Sequence, residues 1–146
     1  MTENNAQATE ARIRASFSRQ GLMQTLNAHI DEVAQGQVVI CAPLQAASSQ
    51  QHGYGHAGLT FSIGDSAAGY SALTLMPPDH EVMTAEIKIN LLAPARGDHL
   101  RATGRVIKPG RRLIVVSAEV HAIAADSETL VAVLMGTMVP VASGPT

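Results

Sequence analysis

Apolar residues recur at two different periods along this chain, and the period changes once, near residue 80. Between Thr9 and Leu26 the apolar positions Ile13, Phe17, Leu22, Met23 and Leu26 fall at near-helical spacing around Gly21. That pattern predicts one helix ending near Gln20 and a short helical turn after it. Residues 1–8 are polar and are expected to fray. In "AHIDEVAQGQVVICAPL" two extended runs flank Gly36, the pattern of a hairpin. "QAASSQQHGYG" reads as a loop of small and polar residues. A longer helix follows from His56 or Ala57 to Leu75, and "MPPDH" stops it because proline cannot continue the hydrogen-bond ladder.

Beyond that point the period is two. In "TAEIKINLLAP", Ala85, Ile87, Ile89 and Leu91 alternate with Thr84, Glu86, Lys88 and Asn90, as in a half-buried strand. "GDHLRATGRVIKPG", "RRLIVVSAEVHAIA" and "ETLVAVLMGTMVPV" predict three more strands. Their breaks, at Pro94–Gly97, Pro109–Gly110 and Ala125–Ser127, are short enough for antiparallel neighbours. Helices and strands are segregated, which argues for an α+β fold with an antiparallel sheet wrapped around one long central helix. The 146 residues contain no internal repeat and suit a single domain, with a second flexible tail at 142–146.

Composition removes several classes of function. A net charge of −2, with no basic run longer than Arg111-Arg112, leaves no electrostatic footprint for nucleic acid. The N-terminus has no apolar signal region, and no stretch approaches the roughly 18 apolar residues of a membrane span. The single cysteine, Cys41, lies in the apolar run "VVICAPL" and is expected to be a buried, inert thiol in a reducing compartment. These features predict a cytoplasmic protein with no nucleic-acid or membrane partner. His52, His80, His99 and His121 show no metal-ligand spacing, so no metal site is expected, and His121 reads as ordinary strand surface.

Candidate chemistry concentrates in "QQHGYGHAGLTFSIGDSAAG", residues 50–69. Gly53, Gly55 and Gly58 spell the glycine pattern of a dinucleotide-binding turn. That turn needs a strand just before it and a βαβ unit around it, and here about ten residues of loop intervene and a sheet follows. The glycine spacing therefore carries no nucleotide site. The helix itself is apolar and small, with Asp65 and Tyr70 its only ionisable side chains between Ala57 and Leu75. Gly58, Gly64 and Gly69 each cost helix stability by roughly 1 kcal/mol relative to alanine, which suits a backbone that approaches a sheet or a ligand closely. Free N–H groups at Ala57 and Gly58 would point from a positive dipole end toward an oxygen that gains charge.

Taken together, "HAGLTFSIGD" resembles the signature of hotdog-fold acyl-CoA thioesterases of the phenylacetate-pathway (PaaI-like) type. That family has His-Gly-Gly at the start of its central helix and an acid nine residues after the histidine, the spacing of His56 and Asp65. The resemblance continues through "TAEIKINLLAPARGDHLRATGRVIKPGRRLIVVSAEV" and covers roughly residues 10–141. It implies a hotdog fold and hydrolysis of an acyl-CoA thioester without a cofactor, coenzyme A being part of the substrate. By position, Asp65 matches the catalytic acid, acting as base or nucleophile, and the N–H of Ala57 or Gly58 matches the donor to the thioester oxygen. His56 matches the histidine that orients the substrate. Thr84 matches a hydroxyl that holds the attacking water, and Gln50 or Gln51 matches an amide near the thioester. The sequence departs from the family in reading His-Ala-Gly. Family sites form between subunits, so the resemblance implies a homodimer or a dimer of dimers.

An aliphatic acyl tunnel lined by Leu59, Ile63 and Met83 is expected, together with contacts from Lys108, Arg111 and Arg112 to the coenzyme A phosphates. Two other readings stay open at this stage. One is a hydratase or dehydratase of enoyl or hydroxyacyl thioesters on the same fold, and the other a non-catalytic acyl-CoA sensor.

Overall fold

The computed structural model describes residues 2–144. In chain order the elements are α1 (Glu3–Ser18), α2 (Gly21–Thr25), β1 (His29–Ala34), β2 (Gln37–Pro43), α3 (Ala57–Leu73), β3 (His80–Leu91), β4 (His99–Lys108), β5 (Ile114–Ala124) and β6 (Ser127–Ala142). All six strands form one antiparallel sheet in the order β1-β2-β4-β5-β6-β3. It curves around α3, the central helix of a hotdog fold.

The core lies between α3 and the inner face of the sheet. Val38, Ile40 and Ala42 of β2, Leu100 and Ala102 of β4, Val116 and Val120 of β5, and Leu134 and Met138 of β6 meet Ile63, Ala67, Ala72 and Leu73 of α3. Alternation sets this, because side chains two apart on a strand share a face. The small residues of α3 let the helix sit unusually close to the sheet. At Gly104 the contact is backbone to helix backbone: a Cβ there would overlap the carbonyl of Ala67 and the amide of Ala68. Gly104→Ala is therefore expected to destabilise the fold by about 3 kcal/mol or more, read as a lower denaturation midpoint in urea.

Four expectations need correction. The N-terminal helix begins at Glu3, so residues 3–8 are helical although every one is exposed. Glu3 in the first turn complements the helix dipole there. At the other end β6 runs to Ala142; Met1, Pro145 and Thr146 lie outside the described residues. Third, β3 starts at His80 rather than Thr84. Finally, β3 and β4 are not neighbours despite the short break between them. β3 takes the far edge beside β6, and residues 92–98 cross over the N-terminal end of α3 to reach β4. That crossover is tied to the loop before α3 by the N–H of Gly55, which donates to the Ala95 carbonyl at 2.9 Å.

Strand β3 also carries a bulge between Thr84 and Glu86, with Ala85 the extra residue. Val82, before the bulge, and Ile87 and Ile89, after it, all pack on the core. Strict alternation would have sent Thr84 outward with Glu86 and Lys88. The extra residue changes the phase, and Thr84 faces α3.

Candidate active site

Two groups of polar atoms occupy the two ends of one stretch of α3. At its N-terminus His56 is the N-cap, extended at φ −64° and ψ 142°. Its Nδ1 accepts from the N–H of Gly58 at 2.7 Å, which places the proton of the neutral ring on Nε2. This capping bond consumes one of the two expected donors. The N–H of Ala57 has no hydrogen-bond partner among the described residues. Ala57 lines a cleft of about 610 Å³ together with Gln50, Gln51, Tyr54, His56 and Thr60, with Leu91–Ala95 of the crossover also in its wall. Both glutamines thus reach the same cleft, and the Gln50 side-chain oxygen accepts from the N–H of His52.

The second group lies two and a half turns along. Asp65 is half-buried, and its Oδ1 accepts from the Thr84 hydroxyl at 2.7 Å. The same hydroxyl lies 3.3 Å from Met138 Sδ, but a carboxylate is much the stronger acceptor for its single proton. Asp65 Oδ2 has no partner among the described residues and is free to accept from water. The nine residues between His56 and Asp65 correspond to about 13.5 Å of helix at ~1.5 Å per residue. Within one chain, therefore, Asp65 and the Ala57 N–H do not face a common atom.

The remaining candidates separate. Leu59 and Ile63 are core residues, 3 % and 0 % exposed. Met83 has the opposite phase to Val82 and Thr84, turns away from α3 and is 58 % exposed. Within one chain these three residues do not share a cavity. Lys108, Arg111 and Arg112 are exposed around the β4–β5 turn and do not line the cleft at the α3 N-terminus. A cation missed by sequence reasoning does approach it. Arg96, in the crossover, donates to the Tyr54 hydroxyl at 2.6 Å and stacks 4.4 Å from the ring centroid. It lines an adjoining cleft that shares Tyr54, Gly55 and Ala95 with the first. Only the crossover's path reveals this, and no local pattern signals it.

Cys41 is buried as expected. Burial, assisted by the nearby Asp31 carboxylate and opposed by Arg101, pushes its thiol pKa up and keeps it protonated. His121 departs from the expectation of ordinary surface: it is half-buried, and its Nδ1 has no partner. Its Nε2 lies 4.0 Å from Glu128. Among the described residues no cluster of three or more His, Cys, Asp or Glu side chains is placed to hold a metal, and no helix is long and apolar enough to cross a membrane.

Comparison with known proteins agrees with the fold. Residues 52–125 match the model of the thioesterase superfamily. A thioesterase family protein from Silicibacter pomeroyi is 38% identical, with a TM-score of 0.90 over 92% of this chain and 99% of that one. The PaaI protein of the E. coli phenylacetic acid degradation operon shares the fold, with 21% identity and a TM-score of 0.84 over 97% and 99% of the two chains. Among curated relatives, a 1,4-dihydroxy-2-naphthoyl-CoA hydrolase from Listeria monocytogenes is 30% identical over 62% of this chain and 74% of its own. A putative esterase from Saccharolobus solfataricus is 39% identical over 45% of this chain, which spans 43% of that relative's length. With its sheet, its central helix and more than half its length matched in this way, the chain belongs to the thioesterase superfamily and has the hotdog fold.

Proposed function

We propose that the protein hydrolyses acyl-CoA thioesters at sites shared between two copies of the chain. The observation that carries this reading is the free N–H of Ala57, a cleft-lining residue at the positive end of α3 beside a neutral histidine donor. Such a donor stabilises the oxyanion that forms when a thioester carbonyl is attacked. Asp65 supplies the attack. Its free oxygen accepts a proton from water as the water oxygen bonds to the carbonyl carbon; the C–S bond then breaks, and the sulfur takes up that proton from the Asp65 carboxyl, so that coenzyme A leaves as the thiol and Asp65 is again a carboxylate. Direct attack by the carboxylate is the other form of the same role. Neither form requires a cofactor.

A general base must lie within hydrogen-bond reach of its proton, directly or through one water. Because about 13.5 Å of helix separates His56 from Asp65, the reading requires Asp65 of one copy to meet Ala57 and His56 of another. The free edge of β3, paired on one side only, is available for that association. Incubation with a panel of acyl-CoAs and a thiol reagent tests the activity. Release of coenzyme A supports the reading; tight binding with no release would favour a sensor. A stable monomer that turns over substrate, seen by light scattering, would overturn the shared site.

Arg96, rather than the β4–β5 turn, takes the coenzyme A phosphates in this reading. Arg96→Ala is expected to raise KM for an acyl-CoA about three- to tenfold, an exposed charge-assisted contact being worth less than a buried one. KM for the corresponding acyl-pantetheine, which has no phosphates, should change less than twofold.

A further inference from the structure

The basic residues of the β4–β5 hairpin take no part in the site described above, and their surroundings give them another use. Four of the ten Lys and Arg residues, Arg105, Lys108, Arg111 and Arg112, fall within eight positions. No acid occurs between Asp98 and Glu119, in a chain whose net charge is −2. None of the four cations is in an ion pair among the described residues. Two aliphatic side chains sit among them: Ile107 is 52 % exposed and Leu113 56 %.

The hairpin is held at its base and bare beyond it. Val106 packs on the core, and its N–H donates to the Gly36 carbonyl at 2.9 Å, which braces β4 on the β1–β2 turn. A bulge between Val106 and Lys108 breaks the strand alternation there, and every residue from 107 to 113 is exposed. Gly110 closes the turn so tightly that a Cβ on it would overlap the Leu113 carbonyl. These residues line neither the cleft at the α3 N-terminus nor the recesses beside it. A docked peptide or helix needs a groove, whereas a bare tip that carries aliphatic and cationic groups together suits a flat anionic surface. The ten residues of β4, roughly 30 Å of strand, separate this tip from the crossover, so covering the tip leaves the cleft open.

We propose that the β4–β5 tip docks the protein on an anionic membrane surface, with Lys108, Arg111 and Arg112 against the lipid headgroups, Arg105 behind them, and Ile107 and Leu113 entering between the headgroups. Each cation near such a surface raises the partition about fivefold. The aliphatic pair adds apolar burial, which attraction between charges alone does not supply. The expectation of no membrane partner rested on the absence of a spanning segment, which has no bearing on contact of this kind. The proposal does not depend on the hydrolase reading.

Co-sedimentation of the full chain with vesicles tests it, using phosphatidylcholine mixed with phosphatidylglycerol against phosphatidylcholine alone. Binding is expected to the anionic vesicles only, falling about tenfold or more between about 0.1 M and 0.5 M salt. Arg111→Glu with Arg112→Glu should weaken the partition roughly 25-fold or more. Ile107→Ser with Leu113→Ser, which changes no charge, should weaken it about fivefold or more. All four substitutions fall at exposed positions and should leave the thermal midpoint in place. No binding to anionic vesicles, or binding that either double variant leaves intact, would overturn the proposal. Retention on immobilised polyglutamate without vesicle binding would assign the tip to an acidic protein instead. A smaller assembly of the variants by light scattering would assign it to a contact between copies, and loss of affinity for coenzyme A in the Arg111→Glu, Arg112→Glu chain would return these cations to the thioester's phosphates; each of these also overturns the proposal.

Discussion

Replacing Asp65 by asparagine should lower kcat for acyl-CoA hydrolysis by roughly 10²–10⁴-fold, the range that a positioned base contributes. Asparagine retains an oxygen that can accept from the Thr84 hydroxyl, so the contact between α3 and β3 survives while the proton acceptor is lost. The thermal midpoint should move little, and KM should stay close to the wild-type value because the cleft at Ala57 is untouched. Asp65→Ala removes the Thr84 contact as well and should be at least as inactive. Full activity in both variants would eliminate Asp65 from the chemistry.

The second large effect tests the opposite end of the helix. Ala57 is the first residue of α3, a position where proline is well tolerated because its missing N–H has no partner within the helix. His56 already has the extended backbone that a residue before proline requires. Ala57→Pro should therefore fold and keep the His56 cap while deleting only the proposed oxyanion donor. A fall in kcat of roughly 10²–10³-fold is expected. Ala57→Gly keeps the N–H and should stay within a few-fold of wild type, separating loss of the donor from change in the side chain. If Ala57→Pro folds and turns over at the wild-type rate, the thioester oxygen is held elsewhere.

The two substitutions can also be combined by mixing. If each site takes Asp65 from one copy and Ala57 from another, a dimer of one Asp65→Ala chain and one Ala57→Pro chain has one site with both defects and one with none. Refolding an equal mixture should restore about a quarter of wild-type activity, because half the dimers are mixed and each has one intact site. A mixture no better than its components would overturn the shared site.

Much of this arrangement was legible in the sequence. The change of apolar period near residue 80 separates helices from strands, and the apolar run from Ala57 marks the central helix, because burial imposes period on sequence directly. The His56–Asp65 spacing was legible only through its resemblance to a family signature; the structure puts His56 at the cap of α3 and Asp65 within it. What was hidden involves residues brought together by path rather than by period. Residues 3–8 are helical yet carry no apolar side chain larger than Ala6 and Ala8, so they leave no apolar stripe to read. The far-edge position of β3 was invisible because a seven-residue connection serves a crossover over a helix end as well as a hairpin. Arg96 and Tyr54 meet across that crossover, and Ser16, Gln20 and Tyr70 meet across the α1–α3 contact; neither encounter has a local signature. The division of labour between the Ala57 and Gly58 amides depended on which of them His56 captures.

The bulge at Ala85 has a consequence for how this protein can change. Ahead of it, β3 turns Thr84 to the Asp65 carboxylate beside the core contact of Val82; behind it, the same strand packs Ile87 and Ile89 on the core. One surplus residue lets both groups face inward, so a substitution at Thr84 leaves the packing of Ile87 and Ile89 undisturbed. Loss of that residue would end that arrangement. It would turn either the hydroxyl or the isoleucines to solvent, and a deletion too small to alter the outline of the fold would force a choice between the Asp65 contact and the core.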